Sequence, residues 1–205
     1  MKHKICIYAI ARNEEPFVDR FCDAAAEADY VAVLDTGSTD RTVEKLSDRG
    51  VIVRQTTVEP WRFDVARNLS MLLIPHDTDL CVCVDLDEVL LPGWRAALEK
   101  AWTEDAETGT YRCICSRNAD GSEGTAFLRE KIHRPKCATW KYPVHEVLVP
   151  SDGRPFFRCV NVEGMAAEHL PDERKSRAQY LPLLELAAQE APQDARCAHY
   201  LGREY

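Results

Sequence analysis

The first half of the chain alternates short apolar runs with segments of helical period, and the runs end in polar or acidic clusters. The apolar runs occupy residues 4–10, 30–34, 51–53 and 80–84. After the first, Phe17, Val18, Phe21, Cys22 and Ala25 recur at the spacing of one helix face. After the second, Val43 and Leu46 lie in a helical segment that Ser38 or Thr39 is expected to cap and Gly50 to end. Residues 63–74 read as a third helix stopped at Pro75, and a fourth is expected over about 93–103. Near-continuous apolar runs suit strands covered on both faces, and this alternation builds a parallel, doubly wound sheet. The expected fold class is therefore α/β, a Rossmann-like mainly parallel sheet flanked by helices.

Beyond Thr110 the pattern changes. Residues 111–116, 125–133, 142–150 and 156–162 read as strands without intervening helices. From about Asp172 the chain reads as helical again, with Tyr180, Leu181, Leu184, Leu186 and Ala187 on an apolar face that Pro192 breaks. A chain of 205 residues with 45% hydrophobic and 29% charged residues has the composition of a globular protein, which excludes a disordered or fibrous one. No apolar run reaches the ~18 residues of a membrane span, and no secretory signal is recognised, so the expected location is the cytoplasm. None of the nine cysteines forms a CxxC pair, which argues against a zinc ribbon or a thioredoxin motif; buried, reduced thiols are expected.

The net charge of −8 speaks against a non-specific nucleic-acid coat. Yet residues 112–141 hold seven Lys/Arg against three Asp/Glu, a local basic surplus suited to a phosphate or an anionic acceptor. In an open parallel sheet, ligands bind at the carboxyl ends of the strands. Three polar clusters are expected there: residues 12–15, 35–40 and 85–88. Asp85 and Asp87, two apart at a strand end, repel unless a cation neutralises them, and oxygen ligands suit Mg²⁺ or Mn²⁺. Such an ion would also clamp a departing diphosphate. The plainer alternative is a pair of loop acids beside a helix start.

Taken together, four blocks carry a resemblance. Ala11-Arg12-Asn13-Glu14-Glu15, Asp35-Thr36-Gly37-Ser38-Thr39-Asp40, Trp61-Arg62-Phe63-Asp64-Val65-Ala66-Arg67-Asn68 and Asp85-Leu86-Asp87-Glu88 resemble, in order and spacing, the family 2 glycosyltransferases. The resemblance covers about residues 4–170 and implies a GT-A fold. It implies that the first loop wraps the nucleotide base through Ala11, Asn13 and Glu15, and that Asp35 binds the base. Thr36 stands where the commoner pattern has a second acid, which leaves the base less defined. Arg67 and Asn68 resemble a donor-pocket pair, although Arg67 could instead pair with Asp64 at i,i+3. Asp85 resembles the ribose- and metal-facing acid, Asp87 the direct metal ligand and His169 a third ligand. Arg174 and Arg177 are candidates for holding the diphosphate.

Trp140-Lys141-Tyr142-Pro143-Val144-His145-Glu146 is similar to a block in a subset that includes protein S-glycosyltransferases. An inverting transfer needs a base, for which Glu146 and His145 are the candidates and Glu88 a weaker one. As neighbours in the strand expected over 142–150, they point to opposite faces, so only one is expected to face the donor. His133 and Arg134 also resemble that subset, with Arg134 near acceptor or phosphates.

The expected protein is thus an inverting, metal-dependent glycosyltransferase using Mn²⁺ or Mg²⁺ and a UDP-linked sugar. Its acceptor would be a glycan, a protein side chain or a hydroxymethylated DNA base, with DNA disfavoured by the net charge. The alternatives are a non-catalytic nucleotide-sugar-binding or scaffold protein, and a nucleotidyltransferase. The last would want a Gly-rich basic loop where this chain has Ala11-Arg12-Asn13-Glu14-Glu15. Residues 1–170 are expected to form the catalytic domain. Residues 171–205 resemble part of a tetratricopeptide-like helical pair, which either packs on that body, forms a homodimer, or belongs to something longer.

Overall fold

The computed structural model describes residues 2–172 and 179–205. The alternation in the first half becomes β1 (Ile5–Ala11), α1 (Val18–Ala24), β2 (Tyr30–Asp35), α2 (Thr42–Asp48), β3 (Ile52–Gln55), α3 (Phe63–Met71) and β4 (Leu80–Cys83). There follow β5 (Glu88–Leu90), α4 (Trp94–Ala101), β6 (Thr108–Ile114), β7 (Ala126–His133), β8 (Ala138–Lys141), β9 (Val147–Pro150) and β10 (Cys159–His169). The described chain closes with α5 (Tyr180–Glu190) and α6 (Ala195–Glu204).

Eight strands form one sheet in the order β3-β2-β1-β4-β7-β6-β10-β5, and β8 and β9 form a separate hairpin. The pairs β1/β2, β2/β3, β1/β4 and β6/β10 are parallel, while β4/β7, β6/β7 and β5/β10 are antiparallel. This is the mainly parallel, helix-flanked sheet that the alternation predicts.

Side-chain alternation along β1 divides the core in two. Ile5, Ile7, Ala9 and Ala11 face a layer built from Val18 and Phe21 of α1, Leu46 of α2 and Trp94 and Leu98 of α4. Cys6 and Tyr8 face the other side, with Cys81, Cys83, Trp140 and Leu148. Both sides of the strand are covered, which is why its sequence reads as a continuous apolar run. Cysteine serves there as a small hydrophobe, and burial pushes the Cys6 thiol up to about 12.

Several local expectations are corrected. Neither Ser38 nor Thr39 caps α2; the Asp40 carboxylate accepts the Thr42 N–H at 3.0 Å, and Ser38 turns back to Asp35. The strand expected over 142–150 is instead the β8/β9 hairpin, with residues 142–146 in its connecting turn. The strand expected to end near 162 runs on to His169 through an irregularity between Asn161 and Ala166, where Gly164 adopts φ +85°. That irregularity breaks the period-2 signal. The short β5, pairing His169 with Glu88, had no sequence signal of its own.

Helices α5 and α6 pack on the body. Leu183 and Leu184 bury against Val144, with Trp61, Phe63, Tyr180, Tyr200 and Leu201 around them. Arg62 bonds Glu190 at 2.5 Å, and Tyr142 donates its hydroxyl proton to Asp194, whose carboxylate also caps α6. Residues 180–204 thus contact the body of the same chain through this cluster. Among the described residues no helix is long and apolar enough to cross a membrane.

Candidate active site

Strand direction decides which residues share a rim. β7 runs against β4, and β6 runs against β7, so β6 and β10 run the same way as β4. The carboxyl end of β10 therefore lies on the same rim as the carboxyl ends of β1, β2 and β4. A cleft of about 1360 Å³ opens at that rim. The β1 loop (residues 11–15), Asp85, Asp87, His169, residues 144–148 and Arg67 all line it, together with Tyr180, Arg196 and Tyr200 from the helical tail.

Asp87 and His169 meet across the sheet, with His169 Nε2 3.3 Å from Asp87 Oδ2. The Leu170 N–H also donates to the Asp87 carbonyl at 2.8 Å, tying the two segments together. A carboxylate and an imidazole suit Mn²⁺ or a similar ion. Asp85 is placed differently. Its Oδ1 lies 2.8 Å from Arg67 and its Oδ2 2.7 Å from Lys131, so both oxygens are engaged by cations. Burial alone would push this carboxyl up; Arg67 and Lys131 overcome that and hold it well below the usual carboxylate range. Among the described residues no group of three His, Cys, Asp or Glu side chains is gathered as a metal cage. Of the three expected ligands, Asp87 and His169 contact each other, while Asp85 belongs to an ion-pair network.

That network extends further. Arg67 Nε lies 2.5 Å from Glu146 Oε1, and its Nη1 donates to Cys83 Sγ at 3.1 Å. Asp64 pairs with Arg62 instead, at 2.9 Å, so the i,i+3 alternative for Arg67 is not realised. Glu88 is buried, accepts the Asp85 N–H at 3.1 Å and pairs with Arg129 at 2.5 Å and Lys131 at 3.3 Å. It is a turn-closing carboxylate between two cations. Arg129 and Lys131 were not singled out from the sequence. The signal available was the basic surplus in residues 112–141; the missing information was that β7 starts at the cleft rim.

The same direction explains what leaves the site. The carboxyl end of β7 lies at the opposite edge of the sheet, where His133 pairs with Cys81 and Thr108. His133 is buried between the Tyr8 hydroxyl at 2.8 Å and the Arg134 carbonyl at 2.9 Å. Burial pushes its imidazole down to about 4. Arg134 donates to the carbonyls of Ala106, Thr103 and Glu104 and holds the loop before β6. Neither touches the cleft. The Asn68 amide bonds the Trp140 backbone and the Thr139 hydroxyl, fastening α3 to β8. Arg174 and Arg177 lie outside the described residues.

The loops that follow β1 and β2 are cross-linked. The Asn13 side chain accepts from Thr39 N–H at 2.8 Å, Glu15 Oε2 accepts from Arg41 N–H at 3.2 Å, and the Ala11 carbonyl accepts from Thr36. Asn13 sits at φ +55°, a conformation asparagine tolerates. Asp35 is fully buried and accepts from the N–H groups of Gly37 and Ser38 and from the Ser38 hydroxyl. Gly37 at φ +110° allows that turn. Asp35 does not line the cleft; as placed, its carboxylate closes its own turn rather than facing a base.

His145 and Glu146 both line the cleft, contrary to the expectation that only one would. The pair lies in the turn before β9, not in a strand, and His145 adopts φ +51°. Its ring stacks on Tyr200 with centroids 4.1 Å apart and meets Tyr180 edge-on at 5.7 Å. Burial lowers its pKa. The tail thereby holds one of the candidate bases.

No family model matches the sequence, and no curated protein matches it. Among solved structures, glucosyl-3-phosphoglycerate synthase from Mycobacterium tuberculosis with Mn²⁺ and UDP-glucose is similar at 22% identity and a TM-score of 0.46, over 54% of this chain and 44% of that one. The same enzyme with UDP is similar at 22% identity and a TM-score of 0.45, over 57% of this chain and 45% of that one. The match therefore spans less than half of the length of the synthase.

Proposed function

We propose that the protein is an inverting glycosyltransferase of the GT-A type that moves a sugar from a UDP-linked donor to an acceptor hydroxyl or thiol. The observation that carries this reading is the Asp87–His169 pair at the carboxyl rim of the parallel strands, beside the cationic network of Arg67, Arg129 and Lys131. The cross-linked loops bearing Ala11, Asn13 and Glu15 form the rim suited to a nucleoside. Asp87 and His169 are the residues that would hold Mn²⁺ or Mg²⁺. Such an ion, when bound, supplies charge that stabilises the departing diphosphate.

The chain's own residues account for the remaining work. Lys131 and Arg129 bring positive charge to the floor on which the diphosphate charge develops. Arg67 fixes Glu146 by one oxygen and leaves Oε2 to take the acceptor proton during a single displacement at the anomeric carbon. Tyr180, Tyr200 and His145 form an aromatic wall on the side where an acceptor enters. Cleft shape and the tail's participation in it favour an enzyme whose helical residues 179–205 work with residues 2–172 as one unit.

The experiment is a UDP-release assay over a panel of UDP-sugars, with Mn²⁺, Mg²⁺ or EDTA. Acceptors would be drawn from glycans, protein thiols and hydroxyls, and hydroxymethylated DNA. Metal-dependent release with loss in Asp87→Asn is expected. Absence of UDP binding by calorimetry, with Mn²⁺ present, overturns the reading. Binding without turnover on any acceptor would favour a nucleotide-sugar-binding scaffold.

A further inference from the structure

A carboxylate at a strand end beside a metal-ligating pair would ordinarily join the coordination shell. Asp85 has no oxygen to spare for it. Arg67, itself buried, takes Oδ1, and Lys131, also buried, takes Oδ2. The two cations come from different elements, α3 and β7, so they hold the carboxylate from two directions. Lys131 is anchored in turn by Glu88, 3.3 Å away, and Glu88 accepts the backbone N–H of Asp85 itself. Arg129 Nη1 stands 3.9 Å from the same Asp85 oxygen. The arrangement is a closed lattice of three cations and three carboxylates: Arg67, Arg129 and Lys131 against Asp85, Glu88 and Glu146. Asp87 stands outside it, and its recorded side-chain partner is His169.

We propose that Lys131 is a positioning residue that withholds Asp85 from a divalent cation, so that cation binding waits for the nucleotide's phosphates. With Asp85 held, the protein offers Asp87 and His169. Two protein ligands leave most of an octahedral shell to water and phosphate oxygens, the arrangement in which a divalent cation arrives with its nucleotide. Removing the ammonium frees one Asp85 oxygen and also deletes a positive charge from the cation's surroundings. Both changes raise affinity for a cation in the absence of nucleotide. The inference rests on the nucleotide-sugar reading for the identity of the phosphate ligand, but the hold of Lys131 on Asp85 is testable with metal alone.

The test is titration of the full chain with Mn²⁺, read by calorimetry and by electron paramagnetic resonance, with and without UDP. Wild-type protein is expected to bind Mn²⁺ weakly alone and about tenfold or more tightly with UDP, a change of ~1.4 kcal/mol per tenfold. Lys131→Met is expected to bind Mn²⁺ alone about tenfold more tightly than wild type. Lys131→Arg keeps the wild-type pattern, and adding Asp85→Asn to Lys131→Met cancels the gain. Circular dichroism and thermal melting check the fold; if Lys131→Met does not fold, Lys131→Gln carries the same comparison, since it removes the charge and keeps a donor. Unchanged Mn²⁺ affinity in the folded Lys131 variant, or a gain that persists without the Asp85 carboxylate, overturns the proposal. Failure of UDP to bind at all counts against the nucleotide-sugar reading instead, while the Mn²⁺-only comparison still decides the role of Lys131.

Discussion

Arg67 Nη2 lies 2.8 Å from Asp85 Oδ1 while the same guanidinium holds Glu146 through Nε, so one buried side chain of α3 joins the end of β4 to the turn before β9. A planar guanidinium carries donors on several fixed edges, and here it serves two carboxylates at once. The aromatic face of Trp140, 5.2 Å from the guanidinium carbon, completes its enclosure.

Replacing Arg67 by Met leaves two carboxylates without their main partner. Breaking a buried pair by removing one member costs about 3–5 kcal/mol. Urea denaturation of Arg67→Met should show a loss of that size, with UDP-release activity also lost. Arg67→Lys should recover only part of the stability. A midpoint equal to wild type in Arg67→Met would show that the network contributes nothing to folding.

Glu146→Gln keeps the side-chain shape and removes the proton acceptor. Turnover should fall by two orders of magnitude or more, in line with the ~10²–10⁴-fold range for general base catalysis, while UDP affinity changes little. His145→Ala should reduce turnover less, because its ring is occupied by stacking. The reverse ranking, measured by steady-state UDP release and calorimetry on both variants, would assign the base to His145.

Tyr200 covers the His145 ring, and burial is the first cause of that imidazole's lowered pKa. Tyr200→Ala should therefore move the His145 titration upward toward its ordinary value, observable as a shifted midpoint in proton NMR. The lost stacking should also cost about 0.5–1.5 kcal/mol of stability. An unchanged midpoint would mean that the tail does not shield His145 in solution.

His133 carries a pH dependence with a definite sign. Its folded pKa is pushed down from 6.5 to about 4 by burial, so the unfolded chain binds a proton that the folded chain refuses. Its contribution is present above the unfolded value and is lost as pH falls from about 6.5 toward 4. The shift corresponds to roughly 3 kcal/mol at ~1.4 kcal/mol per unit. Urea midpoints between pH 7 and pH 4 should fall more steeply for wild type than for His133→Gln, which cannot titrate. Parallel curves would refute the assignment.

The residues legible from sequence were those whose position follows from the chain alone. A strand's carboxyl end is known once its apolar run is known, and residues 11–15 and 85–87 do line the cleft. Strand direction accounts for which residues of β7 and the loop after it reach the cleft. His133 ends β7 and Arg134 follows it; a strand's direction is not written in its own residues, and reversing a strand exchanges the rim its two ends occupy. The same direction brings Arg129 and Lys131 to the cleft. Asn68 and Asp35 follow a different rule: a polar side chain next to a loop can bond its own turn or a neighbouring backbone as readily as a ligand.

What the sequence by itself determined is the set of local choices: where apolar runs make covered strands, where helical period sets in, and which acids stand at strand ends. Those depend on residues a few positions apart and on the burial of one face. Tertiary structure decided which distant groups meet. It paired Asp87 with His169, 82 residues apart, and it gave Asp85 to Arg67 and Lys131 instead of leaving it open. It also set the C-terminal helices over His145. The physical reason is that a buried charge takes whatever opposite charge the sheet order brings within reach. Sheet order is a property of the whole chain, set by strand directions and crossovers that no short segment records.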